Sequence, residues 1–207
     1  MSIVIAARPG RRERRRQETH ERIFRCALRL FAQRGYLDTT VEEITEAADV
    51  AKGTFFNYFP TKEHLLVAYS EMQERKVLDF LAHLPAGPHS IREIMPKLLV
   101  VIAEDPGSNP SLVRNMLGAR LLSAPARRMM RQRLTHFENN VARLLSAAQQ
   151  QGEIRRDGKV REMARHFLQN YFGSLLLWSL APKGKLSDLL ISNFDLFWAG
   201  VRKEKLP

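Results

Sequence analysis

Between Glu18 and Arg34 the apolar residues Ile23, Ala27, Leu30 and Phe31 fall at i, i+4, i+7 and i+8, and Gly35 follows as a stop. That spacing puts one apolar stripe on a first helix. Thr40-Val41-Glu42-Glu43 has the form of a capping box, in which the Thr40 hydroxyl accepts from the amide of residue 43 and Glu43 reaches back to the amide of residue 40. Val41, Ile44, Ala47 and Ala48 then give a short second helix its apolar face. Asp49-Val50 breaks this pattern, and a third short helix runs from about Ala51 to Tyr58, where Pro60 stops it. Two short helices around a tight turn predict a helix-turn-helix.

Thr61 is placed to cap a long fourth helix carrying Leu65, Leu66, Tyr69, Met72, Val77, Phe80, Leu81 and Leu84, which ends at Pro85-Ala86-Gly87-Pro88. A second capping box, Ser90-Ile91-Arg92-Glu93, opens a helix to about Glu104, with Pro96 as a kink. Asp105-Pro106-Gly107-Ser108-Asn109-Pro110 reads as the clearest loop in the chain. Helical patterns follow at about 111–123, 125–151, 159–180 and 186–203. No segment alternates with period two and no repeat is present, so the predicted fold is all-α with about nine helices.

Composition narrows the classes. Of 207 residues, 44% are hydrophobic and 27% charged, the balance of a chain that buries a core and not of a disordered one. The longest apolar run, Leu98 to Ala103, is far short of the roughly 18–20 residues of a membrane span. Met1 to Ala7 is apolar but short, and arginines follow it, the reverse of a secretory signal, so a cytoplasmic location is expected. One cysteine, Cys26, allows neither an internal disulfide nor a multi-cysteine metal site. His20, His64, His83, His89, His136 and His166 show no metal spacing, and there is no phosphate-binding glycine loop or nucleophile elbow. No enzyme activity, cofactor or metal is expected.

Charge changes the picture further. There are 33 Lys+Arg against 22 Asp+Glu, a net +11, and ten of the arginines lie in residues 1–34 with three glutamates. The stretch from Arg8 to Arg16 holds Pro9 and Gly10 and lacks apolar periodicity, so it reads as a flexible basic arm. Such an arm is either a solvated tail or a contact for an anionic partner.

The segment from Arg22 to Leu65 resembles the DNA-binding domain of the TetR/AcrR family of bacterial transcriptional regulators. The matching features are Ile23, Ala27, Leu30-Phe31, Gly35-Tyr36, Thr39-Thr40-Val41, Ile44, Ala47-Ala48 and Val50, continuing through Lys52-Gly53-Thr54-Phe55-Phe56-Asn57-Tyr58-Phe59 to Lys62-Glu63 and Leu65. The resemblance implies a basic arm over 1–17, a helix-turn-helix domain over 18–64 and a helical effector-binding and dimerisation domain over 65–207. It makes the third helix the reader in the major groove, with Lys52, Thr54, Phe56 and Asn57 facing bases. Asn bonds adenine in two places, and a Phe touches a thymine methyl. It assigns phosphate contacts to Thr40, Gly53, Tyr58 and Lys62, while Phe55 and Phe59 read as core. Two departures stand out: Phe56 occupies a position where the family commonly has Tyr, and Asp49 replaces a frequent turn glycine, which Asp tolerates because it accepts a left-handed backbone. Residues 35–62 hold two lysines against five acidic residues, so the arm, including Arg14, Arg15 and Arg16, must supply much of the attraction to DNA.

In the C-terminal two-thirds, Met163, Phe167, Asn170 and Ser174 share a helix face, with His166 one turn before Asn170. The amide of Asn170 either orients a ligand or bonds a neighbouring helix. Met116 is either adaptable pocket lining or core filler, and Arg120 either pairs with an acidic effector or reaches solvent. Together these residues form a candidate pocket for a small, largely apolar effector. Tyr171 to Leu180 is apolar nearly all round, so it needs cover on two sides. One is the chain's own core; the other, by the resemblance, is a second copy, with Leu175, Leu176, Trp178, Leu190, Phe194, Phe197 and Trp198 at a two-fold interface. The reading is a homodimeric regulator, a repressor released from a near-palindromic double-stranded operator by a ligand. The alternatives are a small helical enzyme, or an adaptor controlled by a partner protein or by oxidation of Cys26.

Overall fold

The computed structural model describes residues 10–85, 87 and 89–203. Among the described residues there are nine helices and no strand: α1 (Arg11–Arg34), α2 (Val41–Ala47), α3 (Lys52–Tyr58), α4 (Glu63–Ala82), α5 (Ile91–Ser108), α6 (Pro110–Leu122), α7 (Ala124–Gln150), α8 (Val160–Leu180) and α9 (Leu186–Val201).

Two apolar clusters hold them together. The first is built by α1–α3 and the start of α4, with Ile23, Phe31, Ile44, Phe55 and Leu65 fully buried, each such side chain contributing roughly 1.5–3 kcal/mol. It also takes in Leu112, Met116 and Ala119 of α6 and Ala126 of α7. Packing therefore does not divide at residue 64. The second joins α5, α8 and α9 to parts of α6 and α7 around Leu99, Leu145, Ile154, Leu186 and Phe194. A short antiparallel bridge between Ile154 and Arg202 pins the α7–α8 loop to the end of α9.

Three local expectations need correction. The helix predicted from Glu18 starts at Arg11, so Arg14, Arg15 and Arg16 are exposed helical residues and not part of a flexible arm. Arginine is a good helix former, Glu13 complements the helix start, and Gly10 sits just outside it. Arg8, Pro9 and the start Met1–Ala7 lie outside the described residues, as do Ala86 and Pro88 of the expected break. The expected loop at 105–110 is mostly helix, because α5 continues to Ser108. Tertiary contacts override the Pro-Gly signal: the Asp105 carboxylate accepts from Lys76 Nζ at 2.8 Å and Gln73 Nε2 at 3.1 Å, and Pro106 is buried. Only Asn109 separates the helices, and its side chain caps α6 by accepting from the Leu112 amide at 2.9 Å, with Pro110 in the first turn. Finally, Thr61 does not cap α4; Lys62 takes that position without a side-chain bond, and the Thr61 hydroxyl meets His64 Nδ1 at 3.0 Å.

Candidate nucleic-acid interface and ligand cavity

The geometry of α2 and α3 follows from two local devices. The capping box forms as read: the Thr40 hydroxyl accepts from the Glu43 amide at 3.2 Å, and the Glu43 carboxylate accepts from the Thr40 amide at 2.8 Å. That amide, first, and Arg34 Nη1 at 2.7 Å hold the Glu43 carboxyl below its usual pKa. In the turn, Asp49 adopts φ +49°, the left-handed backbone expected of it, and among the described residues no other non-glycine residue has a positive φ.

Burial then sorts the faces of α3. Phe55 and Phe59 point into the core, while Lys52, Asn57 and the 43%-exposed Phe56 point outward and Thr54 is half-buried. Three of the four expected base-reading residues thus share an open surface. Lys52 is ion-paired with Glu42 of α2. A Cβ placed on Gly53 would meet nothing, so packing within this chain does not require glycine there. Tyr58 is half-buried with its ring 6.0 Å from that of His20, which also stacks on Phe59 at 4.8 Å. His20 thus joins α1 to α3. Sequence reasoning gave it no role, though it lies one turn before Phe24 on the buried side.

Lys62 departs most from expectation. Its ammonium turns inward, donating to the carbonyls of Tyr36 at 2.9 Å and Thr39 at 2.8 Å and lying 4.3 Å from the Tyr36 ring centroid. Two of its three N–H groups are therefore committed within the chain. Burial lowers its pKa, against the pull of Glu63, Asp38 and Glu43.

A cavity of about 210 Å³ opens between α4, α5, α6, α7 and α8, with almost entirely apolar walls. Of the expected pocket residues, Met116, Arg120 and Phe167 line it. Asn170 and Ser174 lie instead beside a narrow gap next to α9. There the Ser174 hydroxyl donates to the Asn170 carbonyl at 2.6 Å and accepts from Asn193 at 2.7 Å, tying α8 to α9. The Met163 thioether packs against Gly158, where a Cβ would collide with its methyl group, and His166 is exposed. The face drawn from 3.6-residue periodicity was therefore rotated relative to the true lining. Among the lining residues absent from that expectation are Tyr171, one turn past Phe167, and Tyr69 and Gln73 of α4.

Arg120 does not reach outward to solvent; its Nη2 donates to the Ser70 hydroxyl at 3.2 Å and, at 3.5 Å, to the Leu66 carbonyl, both on α4. Burial lowers the pKa of its guanidinium and raises that of the Tyr171 phenol beside it. Another contact of α6 reaches the helix-turn-helix region: Asn115 Nδ2 donates to the Phe31 carbonyl near the end of α1 at 2.7 Å.

The expected interface residues divide. Leu175, Trp178, Leu190 and Phe194 are buried in this chain's own core, and Phe197 and Trp198 are half-buried against it, because α5 packs along α9 and α8 packs on α6, α7 and α9. Leu176 is exposed, and with it Leu177 (68%), Leu180 and Leu196 (72%) form the apolar surface left on α8 and α9.

Residues 23–69 match the family of bacterial regulatory proteins named tetR. Over the whole fold, the chain is similar to Thermus thermophilus FadR, described as a TetR-family transcriptional repressor in complex with lauroyl-CoA. The two share 32% identity over 91% of this chain and 97% of that one, with a TM-score of 0.66. The chain belongs to the TetR family. The HTH-type transcriptional regulator TcmR of Streptomyces glaucescens is 37% identical over 84 residues, 41% of this chain and 37% of that protein. This chain spans about a third of the length, 31–39%, of the first four curated relatives it matches. Bacillus subtilis FadR, solved with stearoyl-CoA, shares the fold at a TM-score of 0.75 and 21% identity, over 87% of this chain and 98% of that one. The relatives named here are each described as transcriptional regulators or repressors. Among the described residues of this TetR-family chain, no helix is long and apolar enough to cross a membrane and no His/Cys/Asp/Glu group is arranged to hold a metal.

Proposed function

We propose that the protein is a cytoplasmic, homodimeric regulator of transcription that binds a near-palindromic operator and is released from it by a small, largely apolar ligand. The observation that carries this reading is that α6 borders both parts of the machinery. Its Met116 and Arg120 line the cavity, and its Asn115 bonds the end of α1, the helix that supports the reading head. A ligand that favours one arrangement of α6 against α4 also favours one placement of α3, and its leverage equals its differential affinity for the two states.

On the operator, Lys52, Thr54, Phe56 and Asn57 meet base edges, while Thr40, Gly53, Tyr58 and the helical arginines Arg14, Arg15 and Arg16 follow the phosphates. Lys52 exchanges Glu42 for DNA on binding. The exposed leucines Leu176, Leu177, Leu180 and Leu196 make the two-fold contact that sets two reading heads on successive grooves. The apolar cavity suits a hydrocarbon body of the kind found as an acyl chain in the two FadR complexes.

The test is selection of duplexes from a random library by the full chain, followed by titration of the selected site with acyl compounds. Enrichment of a near-palindrome and its release by an acyl compound are expected. Equal affinity for selected and random duplex at physiological salt overturns the reading.

A further inference from the structure

We infer that the ligand is an amphiphile with an anionic head, a carboxylate on an apolar body, and that Arg120 is its counter-charge inside the cavity. The inference rests on the ligand-responsive reading above and adds the class of ligand.

Size and lining give the body. A cavity of about 150 Å³ lined by aliphatic and aromatic side chains holds benzene. The 210 Å³ here, walled by Val77, Leu98, Leu99, Ile102, Phe167 and Leu175, takes a larger hydrocarbon.

Charge gives the head. Buried cations are ordinarily matched by an anion, since an unmatched one forfeits its hydration without return. Arg120 is unmatched: among the described residues no carboxylate lies within ion-pairing distance of it. Its neighbours in charge are the phenols of Tyr69 and Tyr171 and a second cation, Arg133. Glu74, the acidic residue on the cavity wall, is committed elsewhere, to Arg133 at 2.8 Å and His136 at 2.6 Å. Of the five N–H donors of the guanidinium, only those on Nη2 are used, on a hydroxyl and a distant carbonyl. The Tyr171 hydroxyl, also on the wall, has no hydrogen-bond partner among the described residues, whereas that of Tyr69 accepts from Gln73 at 3.4 Å. A carboxylate matches this set: it supplies the missing charge, two acceptor oxygens for a planar fork, and an acceptor for the Tyr171 hydroxyl.

The same contact gives the ligand leverage on the fold. The guanidinium now holds α6 to α4 through Leu66 and Ser70. A carboxylate competes for those N–H groups and loosens that link, which lies between the cavity and the helix entering the DNA-binding head.

The experiment is calorimetric titration of the full chain with three probes of equal chain length, dodecanoate, dodecanol and dodecyltrimethylammonium, with dodecanoyl-CoA as a fourth. Dodecanoate is expected to bind at least tenfold more tightly than dodecanol, and the ammonium most weakly. Arg120→Met should weaken dodecanoate tenfold or more, about 1.4 kcal/mol, and leave dodecanol unchanged or tighter. Arg120→Lys should recover part of the loss. Tyr171→Phe, which removes one hydroxyl only, should weaken dodecanoate and spare dodecanol, and serves as the test if Arg120→Met does not fold. Equal binding of dodecanoate and dodecanol overturns the anionic head while leaving the cavity reading intact, as does a dodecanoyl-CoA complex that is tighter than dodecanoate and indifferent to Arg120→Met. Failure of all four probes to bind overturns the acyl-ligand reading itself.

Discussion

Replacing Lys62 by Met keeps most of the apolar stem and removes only the ammonium. The side chain then loses its bonds to the carbonyls of Tyr36 and Thr39, at 2.9 and 2.8 Å, and its place over the Tyr36 ring. Hydrogen bonds to a charged group contribute roughly 1.5–3 kcal/mol each and an exposed cation–π contact roughly 0.5–1. Against this stands the desolvation that lowers the Lys62 pKa, so the net loss is expected to be about 2–3 kcal/mol. For a chain of this size each kcal/mol moves Tm by roughly 2–4 °C, which gives a fall of about 4–12 °C by calorimetry. Operator titrations across salt below that Tm should show an unchanged log–log slope, because the ammonium faces the chain and not a phosphate. The opposite pair of results, an unchanged Tm and a slope reduced by about 0.9, would refute the reasoning and restore Lys62 as a backbone contact.

Asn57→Ala should leave Tm unchanged, since the side chain is exposed, and relax preference at one position per half-site by about 1–3 kcal/mol in competition binding. Leu177→Glu, at a 68%-exposed position, should give a helical species sedimenting near 23.8 kDa that loses operator binding, whereas Phe194→Glu, at 2% exposure, should unfold the chain. A dimeric Leu177→Glu protein would move the interface elsewhere. Because the folded Glu43 carboxyl titrates below its unfolded value of 4.5, its contribution is present above pH 4.5 and disappears as pH falls through the folded pKa. Glu43→Gln should therefore flatten that part of the acid branch in pH-dependent melts, and an unaltered branch would count against the capping box.

What could be read directly from the sequence was local. Helix periodicity and the Thr40–Glu43 box depend on residues a few positions apart, so the sequence alone determined them, while the left-handed turn at Asp49 and the outward-facing Phe56 and Asn57 of α3 were legible through the family resemblance. The helix-turn-helix and the all-α class followed. Tertiary structure decided everything that depends on which partner reaches a side chain first. The Lys62 ammonium meets two carbonyls more than twenty residues away, the Asp105 carboxylate meets Lys76 and Gln73 and keeps a Pro-Gly segment helical, and α5 covers the Phe194 face of α9 within the chain. The cavity shows the same division. Periodicity finds a face of α8 but not its rotation, and a rotation of one residue exchanges Asn170 and His166 for Tyr171 as the group that lines the cavity, because that angle is set by packing against α6, α7 and α9 and not by the helix itself.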